Sequence, residues 1–238
     1  MPCAARQRGC NMTLTERYAG KYISFLGDSL TTLAGYNPEG NAVFYDHVNA
    51  RAAGICDLAD TWWGHVVSSL GAHLLVNDAF SGSTVCNDLR YEIESYGCSD
   101  LRTGRLADGD RTPDVVVILL GFNDRGHWFP ITETERRPGD TSFLFAYRTM
   151  LKKLKANYPA AEIVCLTLPC PVGYNERRDP YCAAITRAAT EAGCRVLDIH
   201  DPQNTYETLD GLHANAAGMR RIGDAVLAAW QVSLQNEE

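Results

Sequence analysis

Val115-Val116-Val117-Ile118-Leu119-Leu120 is an unbroken apolar run of strand length. It does not alternate with polar residues, so a strand made of it is buried on both faces. That is the pattern of a central strand in a parallel sheet with helices on each side.

The surrounding sequence repeats the pattern. Upstream, Tyr22-Ile23-Ser24-Phe25-Leu26 reads as a strand ending at Gly27, and Leu74-Leu75-Val76 as another. Downstream, Ile163 to Leu168 and Arg195 to Asp198 complete a set of five. Helical stretches lie between them. Thr61 to Leu70 begins on a capping threonine. Thr141 to Tyr158 carries the stripe Phe143, Ala146, Met150 and Leu154 and is stopped by Pro159. Tyr181 to Ala192 ends at Gly193. Ala214 to Trp230 is the last helix, mildly interrupted by Gly218 and Gly223. Strands alternating with helices specify an α/β sandwich on a parallel sheet, with functional residues in the loops after the carboxyl ends of the strands. Thr31 to Asp60 and Arg125 to Asp140 read as long irregular loops.

The chain has 238 residues, 45% hydrophobic and 21% charged, enough for one domain with a large core. Residues 1–12 read as a disordered N-terminal extension and 13–238 as the domain. A net charge of -7 argues against nucleic acid as a partner. No apolar run approaches the ~18 residues of a membrane span, and the first residues lack the apolar core of a signal peptide. The expected location is therefore cytoplasmic. The nine cysteines form no Cys-x-x-Cys and no zinc-like spacing, which suits reduced, buried thiols. Cys86 and Cys98 are the pair to inspect for a disulfide. No cofactor or metal is implied, and the oligomeric state is not legible.

Four short motifs fall at the ends of these elements. Gly27-Asp28-Ser29-Leu30 follows the first strand, Ser81-Gly82-Ser83 the second, and Gly121-Phe122-Asn123-Asp124 the third. Asp210-Gly211-Leu212-His213 precedes the last helix. Acyl transfer needs this set of residue types. A serine hydroxyl needs a base, and a histidine base needs a carboxylate to fix its tautomer. The tetrahedral oxyanion needs aimed donors. Ser29, His213 and Asp210 can supply the first three roles. The Ser29 N–H, the Gly82 N–H and the Asn123 amide can supply the donors, Gly82 because it lacks a Cβ and permits close approach. Each motif alone has a plainer explanation, as a turn or a helix cap. The argument rests on all four occurring in order.

In that order they resemble the SGNH hydrolases, also called the GDSL family of esterases and lipases, whose Ser, Gly, Asn and His match Ser29, Gly82, Asn123 and His213. Asp210 matches the acidic partner in Asp-x-x-His. The resemblance runs from Tyr22 to about Gly223. It implies a flavodoxin-like three-layer fold with strand order 2-1-3-4-5 and hydrolysis of an ester or thioester through an acyl-enzyme. The expected substrate is a small-molecule or carbohydrate ester of a short acid, such as an O-acetylated sugar. The alternatives are an acyl thioesterase or lysophospholipase and, in another class, a catalytically silent α/β binding module.

Further residues can line the site. Asp28 is a candidate for substrate contact and, with Asp124, for ordering the loops. His127 follows the Asn123 motif closely, and Tyr36 and Trp128 are loop aromatics suited to a substrate wall. Trp62 and Trp63, on a helix, are assigned to the core. The remaining expected absence is Gly-x-Ser-x-Gly: Thr31 stands at its fifth position, which excludes the usual α/β-hydrolase elbow.

Overall fold

The computed structural model describes residues 12–88, 95–173 and 179–236. The expected extension falls almost wholly outside them. Five parallel strands form one sheet: β1 (Tyr22–Gly27), β2 (His73–Ala79), β3 (Val115–Leu119), β4 (Glu162–Leu166) and β5 (Arg195–Leu197), in the order β2-β1-β3-β4-β5. This is the flavodoxin-like sheet order. β3 lies at its centre with every residue buried, as a strand apolar on both faces requires.

Helices α1 (Leu14–Tyr18), α3 (Trp62–Leu70) and α8 (Ala216–Gln235) pack together on one side. α4 (Asp100–Gly104), α6 (Phe143–Asn157) and α7 (Asp179–Glu191) pack together on the other. Two further short helices are α2 (His47–Ala53), before α3, and α5 (Phe122–Gly126), directly after β3. α2 and a 3-10 turn at Leu58–Asp60 lie in the stretch expected to be a long loop. Asp46 and Asp57 cap them through side-chain bonds to backbone N–H groups, a local signal that the irregular composition around them hid.

Trp62 and Trp63 are fully buried, as expected. Trp62 meets Phe25 edge to face at 5.5 Å between ring centres and donates its indole N–H to the carbonyl of Leu30 at 3.1 Å. The core thereby reaches the residue after Ser29. Trp230 donates to the hydroxyl of Tyr18 at 2.9 Å, and that hydroxyl donates to Glu162 at 2.9 Å. α8 continues five residues past Trp230, and Gln231 accepts the N–H of Leu14 at 3.2 Å.

The two glycines of α8 serve close approach rather than interruption. A Cβ on Gly223 would stand 3.0 Å from the carbonyl oxygen of Trp62 on α3, and one on Gly218 only 2.0 Å from that of Glu207. Among the described residues, no helix is long and apolar enough to cross a membrane. The described cysteines, Cys86 and Cys98 included, are all free thiols.

Gly218→Ala tests this packing. Helix propensity alone would favour alanine by up to about 1 kcal/mol. The clash with rigid backbone should outweigh that gain, for a net loss of about 1–3 kcal/mol read from the urea midpoint. A midpoint at or above that of the parent would show that α8 can move away freely.

Candidate active site

β1 ends at Gly27, where a Cβ would lie 2.5 Å from the Thr31 hydroxyl, so the chain can turn tightly only on glycine. Asp28 caps the 3-10 turn Ser29–Thr31 by accepting the Leu30 N–H at 3.1 Å. Asn77, on β2, donates to the Thr31 carbonyl at 2.8 Å. The Thr32 hydroxyl donates to the Ser29 carbonyl at 2.9 Å and accepts the Phe44 N–H at 3.0 Å. Ser29 is thus held by its own turn, by the neighbouring strand and by the segment at Phe44.

His213 reaches Ser29 from the far end of the chain. Its Nε2 lies 2.9 Å from Ser29 Oγ and its Nδ1 2.7 Å from Asp210 Oδ2. Asp210 Oδ1 also accepts the backbone N–H groups of Leu212 at 3.0 Å and His213 at 2.8 Å. A carboxylate accepts only, so Nδ1 carries the proton and Nε2 keeps a lone pair toward the serine hydroxyl. Burial works to raise the Asp210 pKa, but the hydrogen bonds from His213 and Leu212 outweigh it and hold the group below its usual range. Tyr206 and Tyr45 fix this loop by donating to the Leu212 and Ala214 carbonyls, each at 2.8 Å.

The expected oxyanion donors lie on adjacent strand ends. Among the described residues, no acceptor is bonded to the N–H of Ser29 or of Gly82. Asn123 donates one amide hydrogen to the Ser83 carbonyl at 2.8 Å, which leaves the other for a further acceptor. The reason for glycine at position 82 differs from the expected one. Nothing lies within 4 Å of a Cβ there; its φ of 82° is what other residues rarely adopt.

The remaining expected residues are spread out. His127 joins Phe80, Ser81, Gly82, Ser95 and Tyr96 around a cavity of about 200 Å³. Tyr36, edge-on to Trp63 at 5.7 Å, opens on a separate cleft with Tyr45, Asp46 and Arg51. Trp128 is 63% exposed, with a φ of 57°. Asp28 is fully buried, which replaces its expected substrate contact with a capping role. Asp124, also fully buried, accepts the N–H groups of Val85 at 2.8 Å and Cys86 at 3.0 Å, and so orders the loop after Gly82. Among the described residues, no group of three or more His, Cys, Asp or Glu side chains could hold a metal ion.

Sequence reasoning missed Phe44, whose ring stacks on His213 at 3.3 Å between centres and 12° between planes. It sits in the stretch read as irregular, and no spacing links it to His213. Sequence reasoning also missed Arg102, a fully buried cation beneath the same loops.

The model of the GDSL-like lipase/acylhydrolase family matches residues 21–230. Among solved structures, a GDSL-like lipase from Bacteroides uniformis is 26% identical, with a TM-score of 0.64 over 87% of this chain and 93% of that one. A carbohydrate acetylesterase from Sinorhizobium meliloti is 18% identical, with a TM-score of 0.61 over 87% and 97%. A family two carbohydrate esterase from Clostridium thermocellum, in complex with cellohexaose, is 18% identical, with a TM-score of 0.60 over 92% and 66%. A search of curated proteins found no match.

The buried acids make this edge of the sheet sensitive to pH. Burial, reinforced by the charge of Asp124 and opposed by the Leu30 N–H, pushes the Asp28 pKa up to about 7. An unfolded aspartate titrates near about 3.9. Folding therefore gains from this group below about pH 4 and loses that gain as pH rises to about 7. Asp28→Asn keeps an oxygen for the Leu30 N–H and removes the titration. Its urea midpoint should fall less than that of the parent between those pH values. Parallel pH profiles for the two proteins would show that Asp28 does not titrate in this window.

Proposed function

Since this chain belongs to the GDSL-like lipase/acylhydrolase family and is a hydrolase acting on esters, we propose that it cleaves short-chain esters of a polar alcohol, such as O-acetylated carbohydrate, with Ser29, His213 and Asp210 as its triad. The observation that carries the reading is the continuous chain of bonds from Ser29 Oγ through His213 to Asp210.

In this mechanism Ser29 Oγ attacks the acyl carbonyl while His213 Nε2 takes its proton, and Asp210 stabilises the resulting imidazolium. The N–H groups of Ser29 and Gly82 and the free amide hydrogen of Asn123 face the negative oxygen that develops. His213 then returns the proton to the departing alcohol, leaving an acyl group on Ser29. Water activated by His213 releases the acid by the same steps in reverse.

The preference for a small acyl group rests on the cavity beside Gly82. At about 200 Å³, it is small, and Ser81, Asp88, Ser95 and His127 contribute polar groups to its walls. A long alkyl chain needs a continuous apolar groove instead. The polar alcohol is supported by the fold shared with the Sinorhizobium and Clostridium carbohydrate esterases.

Ser29→Ala should lose nitrophenyl acetate turnover by about 10⁴-fold or more while keeping its circular dichroism spectrum. Near-normal turnover would remove Ser29 from the mechanism. Asn123→Ala should lower kcat by about 10²–10³-fold with little change in KM, because its amide serves charge present only in the transition state. A loss confined to KM would make it a ground-state contact. Across nitrophenyl esters of two to twelve carbons, kcat/KM should peak at acetyl to butyryl. A peak at eight carbons or beyond would favour a thioesterase or lysophospholipase.

A further inference from the structure

Arg102, on the short helix α4, sends its side chain under the sheet edge and is fully buried. All five guanidinium N–H donors are engaged. Nε donates to Asp78 Oδ2 at 2.8 Å. Nη2 donates to the carbonyls of Gly27 at 3.0 Å and Asp78 at 2.6 Å. Nη1 donates to Ser83 Oγ at 2.9 Å and to the carbonyl of Ser95.

Neutralising Asp78 does not account for this arrangement. Arg105 already donates to Asp78 Oδ1 at 2.8 Å, so the carboxylate has a second cation. Most of the Arg102 donors go elsewhere, and their targets flank the reacting groups. Gly27 is the last residue of β1, two before Ser29. Asp78 lies near the end of β2, four before Gly82. Ser83 follows Gly82 directly. Ser83 is gripped twice, by Arg102 at its hydroxyl and by Asn123 at its carbonyl, 2.8 Å from the amide. A planar guanidinium can span strand ends in this way, whereas an ammonium is a point charge.

We propose that Arg102 is a positioning residue for ester hydrolysis, which holds the Gly82 loop in register with the Ser29 turn through Ser83 and Gly27. It touches no reacting atom and acts through the placement of the oxyanion donors. The inference rests on the site reading given above.

The test is Arg102→Lys, which keeps a cation opposite Asp78 and gives up the fork. Turnover of nitrophenyl acetate is divided by the sites titrated with a fluorophosphonate, so misfolded protein does not count. The kcat per titrated site should fall about 10- to 100-fold with KM within about twofold, since small misplacements of aligned groups are costly. In Arg102→Lys/Asn123→Ala, the added loss over Asn123→Ala alone should shrink to about threefold or less, because both act on the same oxygen. An unchanged kcat per titrated site with only a lower Tm would make Arg102 structural and overturn the proposal. Fully additive losses would overturn it as well.

If Arg102→Lys fails to fold, Ser83→Ala carries the test. It removes the hydroxyl that accepts from Arg102 and donates to the Ser95 carbonyl at 2.6 Å, leaves the Arg102 side chain itself in place, and should lower kcat per site by about three- to tenfold. An unchanged value would overturn the proposal. Ser29→Ala separates the two levels. Full activity in that variant would overturn the site reading and the inference with it. Loss there beside an unchanged Arg102→Lys would overturn the inference alone.

Discussion

β1 lies between β2 and β3 in parallel register, with Gly27 opposite Ala79 on one side and Leu119 on the other. Everything at the site depends on that alignment. Parallel strands end at the same edge, so the residues that follow them emerge side by side although they are distant in sequence. Asp28 and Ser29, Phe80 to Gly82, and Leu120 to Asn123 are such continuations. His213 is the exception, because it comes from the loop before α8, which the hydroxyls of Tyr45 and Tyr206 hold in place by donating to the Ala214 and Leu212 carbonyls.

The edge is held together by polar groups that a core normally excludes. Asp28, Asp78, Asp124 and Arg102 are all fully buried within it. Ionised groups in such a place cost stability unless they are paired and bonded. Asp78 meets two arginines, and Asp124 accepts two backbone N–H groups. Asp28 is less satisfied: Oδ1 accepts the Leu30 N–H, and Oδ2 has no partner among the described residues. Burial accordingly raises its pKa, and raises that of Asp124 too. Loops carry many unpaired backbone groups, and fixed charges beneath them hold those groups still. Rigidity of this kind is what aimed hydrogen-bond donors require.

The aromatic neighbours of the site act through shape. Trp62 supports the turn after Ser29 by one hydrogen bond and by packing on Phe25. Phe44 covers one face of the His213 ring, so the imidazole cannot tilt toward that side. Its own backbone is tied to the Ser29 turn through Thr32. The imidazole and the hydroxyl it faces are therefore oriented by one connected piece of the molecule.

The amino-acid sequence by itself determined the sheet and the residue types for acyl transfer. Val115–Leu119 has the composition of a central strand whatever surrounds it, and the motifs after β1, β2 and β3 are local in the chain. α3, α6, α7 and α8 were legible for the same reason, since periodicity and capping are short-range signals; their ends shifted by a few residues at most sites of disagreement. α2 escaped notice because seven residues, about two turns, leave little periodicity, and past Trp230 α8 is tied to α1 by the long-range bond of Gln231 to the Leu14 N–H. Only the tertiary structure decided that Asp28 faces inward, that Tyr36 and His127 line different cavities, that Phe44 stacks on His213 and that Arg102 bonds Ser83. Arg102 stands 75 residues from Gly27 and 24 from Asp78 along the chain. No periodicity extends over such separations, because burial and hydrogen-bond partnership are properties of the packed chain rather than of any segment of it.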